Sequence, residues 1–243
     1  MSSTTSPLLM HSTYFKLLPD SSEDIRNEFM KDCQDYLSTS PGMISFWVGE
    51  RATDMERPQN DLNFDLAMHQ IFQNKAAFDH YNGKDPKHEK FVEEVNKLAP
   101  ATTRRVMDTY LSHFNIGGNP MAMQQVGNDG NWPQGLFHSI YFSLTDKSQA
   151  AIDKFTQVCL NDLSHHEGIC IFAIGGLSDI VRDVSFRDFD VAFDIQYQSK
   201  AAYDNYLKSK GHDAFFPATK GMIKDTFIFD SYLKFQTKVY SLT

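Results

Sequence analysis

Apolar and polar residues alternate along several short segments of the chain, and a stripe of apolar residues at helical spacing follows most of them. The segment from Phe189 to Tyr197 shows the pattern well, because its odd positions are all apolar and its even positions include Asp190, Asp194 and Gln196. A period of two predicts a strand with two unlike faces. The helix predicted next breaks and restarts near residue 212, so the unit is a strand followed by an interrupted helix.

The same unit occurs earlier in the chain. Residues 64–91 and 189–216 share Phe-Asp at the start of the strand, Lys-Ala-Ala at the start of the helix, and a Tyr followed by a His. Tyr81 and His88 in the first copy correspond to Tyr206 and His212 in the second. A supersecondary unit that is written twice indicates a tandem duplication.

Each copy has the predicted order β-α-β-β-α-β, which is that of a ferredoxin-like unit. In the first copy the strands are predicted at residues 9–18, 43–49, 62–72 and 105–113. In the second copy they are predicted at 136–144, before Gly175, at 185–197 and at 226–233. We therefore expect a tail at residues 1–7, a first repeat at 8–113, a second repeat at 136–235 and a C-terminal tail at 236–243. Residues 114–135 are rich in Gly, Asn and Pro and are predicted to be a linker.

A four-stranded sheet with both helices on one face leaves its other face uncovered. Two such sheets bury those faces when they face each other. The predicted fold is therefore α+β, an intramolecular, pseudo-dimeric barrel with antiparallel sheets facing each other and the helices outside. Because the second repeat takes the place of a partner subunit, we expect a monomer.

Composition narrows the range of partners. The formal net charge of −8 disfavours nucleic acid, and no apolar run approaches the length that crosses a bilayer. The N-terminal residues do not resemble a signal peptide. Three cysteines without CxxC spacing predict buried free thiols in a reducing compartment, and the cytoplasm is the expected location.

The repeated motifs resemble the stress-responsive A/B barrel family, often called Dabb. The resemblance includes a His in the first strand of each copy (His11 and His138), the Phe-Asp strand, the Ala-x-x-x-Tyr helix and the His after it, and a closing Asp (Asp108 and Asp230). It implies single units of about 100 residues that usually dimerise into a barrel, and it implies function only weakly. Family members include stress-induced proteins and a polyketide cyclase.

The resemblance also implies candidate catalytic residues. In the family's cyclase, a Tyr six residues before a His assists that His as the base of an aldol cyclisation. Tyr206 and His212 keep the spacing, and Tyr81 and His88 are one residue further apart. The strand histidines, His138 and His11, are predicted to lie on the apolar face where these helices pack. Each helix His could instead cap the restarted helix or bond a backbone carbonyl.

Polar side chains should also line the barrel interior. Strand parity predicts that one interior face carries Asp190 and Asp194 beside Tyr141, and the other carries Asp65 beside Tyr14. These carboxylates could make the interior hydrated. They could also lie at the barrel mouths and bond neighbouring strands, because buried polar groups need partners.

Three functions stay open at this point. The first is the binding of a small apolar or carbonyl-containing molecule without turnover. The alternative is an acid/base enzyme of cyclase or isomerase type that uses the Tyr/His pair beneath the second-copy helices. The second alternative is a haem protein, since paired ferredoxin-like units occur in chlorite dismutase relatives. No cofactor or metal is predicted, and His165-His166-Glu167 is interpreted as a helix C-terminus.

Overall fold

The computed structural model describes residues 6–100, 103–116 and 135–236. The first repeat consists of β1 Leu8–Phe15, α1 Glu23–Leu37, β2 Met43–Arg51, β3 Leu66–Phe72, α2 Lys75–Lys84, α3 Pro86–Leu98 and β4 Arg104–Ile116. The second consists of β5 Leu136–Leu144, α4 Gln149–Leu163, β6 Ile169–Leu177, β7 Val191–Tyr197, α5 Lys200–Tyr206, α6 Lys210–Ala218 and β8 Ile223–Gln236. Both repeats thus have the predicted element order.

Each helix begins at a side chain that accepts a hydrogen bond from a backbone N–H of the first turn. A serine, asparagine or aspartate at this position satisfies a donor that the helix itself leaves free. The capping residues are Ser22, Asn74, Asp85, Ser148, Ser199 and Ser209. The starts of the interrupted helices are therefore encoded locally, in the same way in both repeats.

The eight strands form one closed antiparallel barrel in the order β1-β3-β2-β8-β5-β7-β6-β4. Within it, each repeat contributes a four-stranded sheet with its first strand between its third and fourth. The sheets join at two seams, where β2 pairs with β8 and β4 pairs with β6. The predicted fold is confirmed, and the structure adds that the facing sheets are hydrogen-bonded along both edges.

Buried apolar residues form separate cores outside and inside the barrel. Between the sheet and the helices lie Phe15, Phe29 and Phe72 in the first repeat, and Phe142 and Phe155 in the second. Two further clusters fill the barrel itself, one around Trp47 and Phe137 and the other around Tyr14, Tyr141 and Phe229. Aromatic rings therefore carry much of the packing on both sides of the sheet.

Two strands begin later than the sequence predicts. β3 starts at Leu66 rather than 62, and β7 starts at Val191 rather than 185. Phe64 and Phe189 lie before these strands and pack into the interior cluster, whereas strand parity placed Phe189 under the helices. In the sequence the alternation of apolar and polar residues includes the Phe-Asp pair, but the chain pairs with neighbouring strands of the barrel only after that pair.

Several predictions concern residues that the structure leaves out. Residues 1–5 of the predicted tail, 117–134 of the predicted linker and 237–243 at the C-terminus lie outside the described residues. The three cysteines are buried and unpaired, as predicted. In the described part of the chain, no helix is long and apolar enough to cross a membrane. The monomeric state stays a prediction.

Candidate functional site

His11 lies on the helix-facing side of β1 and is 4% exposed. Its direct neighbour on β4 is Asp108, and the imidazole Nδ1 lies 2.6 Å from the Asp108 Oδ1. The His11 ring also contacts the rings of Phe78 and Tyr81 on α2, at 5.3 and 6.0 Å between centroids. The strand pairing thus builds a buried His–Asp pair beneath the helix.

An arginine of the second repeat completes this pair. Arg182, in the loop between β6 and β7, donates hydrogen bonds to the free oxygen of Asp108 and, at 3.0 Å, to Asn82 Oδ1. Its guanidinium also lies 5.2 Å from the centre of the Phe78 ring. The first-repeat site therefore includes a charged group that the second repeat supplies.

The second repeat has the corresponding arrangement. His138 Nδ1 lies 2.5 Å from Asp230 Oδ1, and the other Asp230 oxygen accepts hydrogen bonds from Arg57 and Asn60 at 2.6 and 2.5 Å. Arg57 and Asn60 belong to the loop between β2 and β3 of the first repeat. Arg57 also donates to the Tyr203 hydroxyl. Each His–Asp pair is thus held by an arginine from the other half of the chain.

The sequence contains a signal for these arginines that alternation and helical spacing do not reveal. Arg57 lies seven residues before Phe64, and Arg182 lies seven residues before Phe189. The polarity of residues 50–61 by itself predicts only a long loop. A repeated arginine at a constant offset from a repeated Phe-Asp pair indicates a shared role.

Burial and charge set the protonation of the first-repeat site. Burial alone would raise the pKa of Asp108, but His11 and Arg182 outweigh it and hold the pKa below its usual value. Burial lowers the pKa of His11 against the opposing effect of Asp108. Burial also lowers the pKa of His88 to about 4. At neutral pH the site holds an ionised carboxylate beside neutral imidazoles.

The structure brings each predicted Tyr/His pair together. The Tyr81 and His88 rings lie 4.3 Å apart, and the Tyr206 and His212 rings lie 5.2 Å apart. Around the strand histidines the repeats differ. His11 contacts Phe78 and Tyr81, whereas His138 contacts Tyr203, the counterpart of Phe78, at 5.1 Å.

Gly211 lies close to the interruption of the predicted helix and would permit a bend there, but in the structure it lies inside α6. The break occurs at residues 207–209, and Ser209 then caps α6 by accepting from the His212 N–H at 3.2 Å. At Gly211 a side chain would overlap the Asp162 carbonyl, so this glycine allows α6 to pack closely on α4. The cap of α6 is therefore Ser209 rather than His212, whose backbone only donates to it.

A cavity of about 250 Å³ lies beneath α2 and α3 of the first repeat. Its polar lining comes from His11, Thr13, Tyr81, Asn82, His88, Arg104 and Arg182, and its apolar lining from Phe15, Met68, Phe91, Val92, Val106 and Val184. Our acid/base alternative placed the pocket under the second repeat instead. There Tyr203 replaces Phe78 and holds Arg57, and Phe216 replaces Val92 and lies 5.0 Å from the His212 ring. Larger rings thus stand at the corresponding positions of the second repeat, where Tyr203 is buried and Phe216 is 59% exposed.

The barrel interior is polar in its middle, as predicted. The hydroxyls of Tyr14 and Tyr141 share a hydrogen bond of 3.1 Å, and His69 Nδ1 lies 2.9 Å from Ser12 Oγ. Burial raises the pKa of Asp194 to about 7. The interior therefore contains a carboxyl group that is far more easily protonated than one in water.

The other two interior candidates lie at the barrel mouths. Asp65 accepts a hydrogen bond from the Leu17 N–H at 2.9 Å, and Asp190 accepts one from the Leu144 N–H at 2.8 Å. Lys16 and Lys147 form ion pairs with them. These two carboxylates therefore connect neighbouring strands, which is the structural alternative that we considered.

The described residues contain no group of three His, Cys, Asp or Glu side chains that could hold a metal ion. His165, His166 and Glu167 follow the end of α4 at Leu163, as interpreted from the sequence. His166 packs against the Tyr206 ring at 5.7 Å. This segment therefore directly follows a helix terminus.

Comparisons with known proteins agree with this fold. Residues 9–111 match the family model described as Stress responsive A/B Barrel Domain. No curated protein sequence matches the chain.

Solved structures resemble the whole chain. A candidate monooxygenase of Lactobacillus acidophilus is 18% identical, with a TM-score of 0.64 over 96% of this chain and 97% of its own. A candidate monooxygenase of Fusobacterium nucleatum is 11% identical, with a TM-score of 0.70 over 98% and 97%. An anthrone oxidase-like protein is 11% identical, with a TM-score of 0.61 over 100% and 98%. At these identities the likeness shows the fold alone.

The matched residues cover β1 to β4 of the first repeat, and the second repeat has the same order of strands and helices. Residues 9–111 are therefore a stress responsive A/B barrel (Dabb) domain, and the chain carries this fold twice within one closed barrel.

Proposed function

We propose that this protein binds a small apolar, carbonyl-containing molecule in the cavity beneath α2 and α3. The observation that carries the proposal is the cavity itself, which combines an apolar wall with neutral imidazoles and a phenol. Small-molecule sites are typically concave, mainly apolar and supplied with a few placed polar groups. At about 250 Å³ this cavity suits a compact ligand.

The polar groups favour a carbonyl oxygen. Burial raises the pKa of Tyr81 well above its ordinary value, so its hydroxyl keeps its proton and can donate a hydrogen bond. Asn82 and Arg182 add N–H donors on the same lining. A ligand oxygen that accepts from these groups satisfies them, while the rest of the ligand contacts the apolar wall.

The test uses the difference between the repeats. Val92→Phe introduces the residue of the second repeat, Phe216, into the cavity lining and should narrow the cavity. We expect acetophenone, used as a neutral carbonyl probe, to bind Val92→Phe at least tenfold more weakly than the natural protein in calorimetric titration. Phe216→Val is the matched control and should leave this affinity within about twofold. Equal binding to the natural protein and Val92→Phe would exclude this pocket.

The His11–Asp108 pair favours acid/base turnover as a second candidate. Because Nδ1 donates to the carboxylate, Nε2 keeps its lone pair, and it lies 3.3 Å from Thr13 Oγ1 on the cavity lining. Such a base can remove a proton from the carbon next to a carbonyl. The electron pair of the broken C–H bond then moves to the carbonyl oxygen, where Tyr81 can donate a hydrogen bond, and Asp108 stabilises the imidazolium.

Deuterium exchange measures this step directly. In D₂O we expect the methyl protons of acetophenone to exchange faster with the natural protein than in buffer, as followed by proton NMR. His11→Gln should reduce the exchange to the buffer rate, whereas His138→Gln in the second repeat should preserve it. If the natural protein gives only the buffer rate, the cavity binds without turnover of this kind.

A further inference from the structure

Two guanidinium groups line the cavity with N–H donors that have no partner. Arg104, at the start of β4, donates from one terminal nitrogen to Asn96 Oδ1 at 2.6 Å, and its Nε is buried and unpaired among the described residues. Arg182 uses both terminal nitrogens on Asp108 and Asn82, and its Nε is likewise buried and unpaired among them. Both side chains belong to the lining of the same cavity.

An unpaired buried donor is unfavourable, and it is more so on a charged group. Arg104 forms no ion pair with any carboxylate among the described residues, whereas its neighbour Arg105 pairs with Asp61. The cavity lining contains no Asp or Glu. Asp108 beneath it is already engaged by His11 and Arg182. The charge of Arg104 therefore stays without a counter-ion in the pocket of a protein whose net charge is −8.

This feature is specific to the first repeat. Asp108 and Asp230 are equivalent, so the position of Arg104 corresponds to Thr226 in β8. The His–Asp–Arg cluster occurs in both repeats, but the additional arginine does not. Arg104 is thus not required by the strand pairing that both repeats share, and it lies on the lining of the first-repeat cavity.

We propose that the ligand of the first-repeat cavity carries a carboxylate, which Arg104 binds together with the Nε–H of Arg182. This inference rests on the proposed function and specifies its ligand class as a small apolar carboxylic acid. A carboxylate matches the planar fork of a guanidinium and can accept two parallel hydrogen bonds from it. The remaining apolar lining suits a hydrocarbon body better than a second charged group.

The experiment compares benzoate with its neutral isostere benzamide by calorimetric titration of the full chain. The natural protein should bind benzoate at least tenfold more tightly than benzamide. Arg104→Thr, which introduces the residue of the second repeat, should bring the two affinities within about twofold. Arg104→Lys should keep part of the preference, because it keeps the charge and loses the fork.

Control variants distinguish binding of benzoate in the cavity from a general effect of the charge of the protein. Arg105→Thr removes the same charge one residue away and should leave the benzoate preference unchanged. Val92→Phe should weaken both probes, and inorganic phosphate should compete less well than benzoate. Arg182 is unsuitable for substitution, because its loss would also release Asp108.

The outcomes distinguish this inference from the proposed function. Three results would overturn the proposal that the ligand carries a carboxylate. They are equal affinity for benzoate and benzamide, a preference for benzoate that Arg104→Thr leaves unchanged, and stronger competition by phosphate than by benzoate. Acetophenone binding that Val92→Phe removes would then still support a carbonyl pocket. Failure of acetophenone, benzamide and benzoate to bind at all would overturn both.

Discussion

At the scale of single residues, the environment of each titratable group determines its role. Asp65, Asp190 and Asp194 occur in the same strand pattern, yet the first two accept backbone hydrogen bonds at the barrel mouths. Asp194 lies in the interior, where burial raises its pKa to about 7. The same residue type thus connects strands at one position and is a buried acid at another.

Asp194 should make stability depend on pH. Its unfolded-state pKa is about 3.9, so between about pH 4 and 7 the unfolded chain releases this proton while the folded protein keeps it. The contribution of Asp194 therefore falls as pH rises, by about 4 kcal/mol over roughly three pKa units. The free energy of unfolding of Asp194→Asn, taken relative to that of the natural protein, should therefore increase by about 4 kcal/mol from pH 4 to 7.

Urea unfolding at several pH values measures this difference. His69 acts in the opposite direction, because burial lowers its pKa to about 3, but it is present in both proteins and cancels. Exposed Asp188→Asn is the control and should track the natural protein. A difference between Asp194→Asn and the natural protein that stays constant with pH would contradict the buried-acid interpretation.

At the scale of elements, two glycines determine how closely the repeats pair. Gly49 in β2 lies against the backbone of Tyr232, and Gly175 in β6 lies against that of Tyr110. Both occur where the register of a seam shifts, at Gly49 in the β2–β8 pair and opposite Leu111 in the β4–β6 pair. A side chain at either position would overlap a backbone carbonyl of the other repeat.

Gly175→Ala should therefore weaken the β4–β6 seam, since the added carbon forces the backbones apart. We expect a loss of about 1–3 kcal/mol in the free energy of unfolding, the range for overpacked sites. Gly176→Ala is the neighbouring control, where the added carbon would lie 3.8 Å from the Asp190 carbonyl oxygen, an ordinary van der Waals contact. Chemical unfolding that ranks Gly176→Ala as the more damaging change would contradict this account.

At the scale of the whole molecule, the His–Asp pair of each repeat depends on an arginine of the other repeat. Arg57 reaches Asp230, and Arg182 reaches Asp108, so each carboxylate is neutralised across the repeat boundary. Burial would raise the pKa of Asp230, but His138 and Arg57 outweigh it and hold the pKa below its usual value. Because each of these arginines comes from the other repeat, the geometry of each site depends on the closure of the barrel.

Arg57→Ala should leave the buried Asp230 carboxylate short of a partner. A loss of about 1–3 kcal/mol in the free energy of unfolding is expected for a buried polar group left unsatisfied. In an Asp230→Asn background the same change should cost less, because no buried charge remains. A double-mutant cycle by urea unfolding measures this coupling. Additive effects of the two substitutions would show that the Arg57–Asp230 ion pair does not stabilise the fold.

The sequence was sufficient for much of the architecture. Element order, duplication and the facing of the two sheets followed from period-two and helical patterns that repeat, because those patterns report local backbone preference and burial. It also placed His11 and His138 beneath the helices, since strand parity determines the face of each side chain. The candidate Tyr/His pairs came from a family resemblance and stay predictions as catalytic residues.

Only the tertiary structure decided which side chains form one site. Arg182 reaches Asp108 across 74 positions of sequence, and Arg57 reaches Asp230 across 173. The cavity of the first repeat brings together residues of β1, β3, β4, α2, α3 and the loop between β6 and β7. Alternation and helical spacing describe a residue's own element, whereas these contacts depend on how the two sheets close on each other. Local pattern therefore determined the units, and barrel closure determined the site.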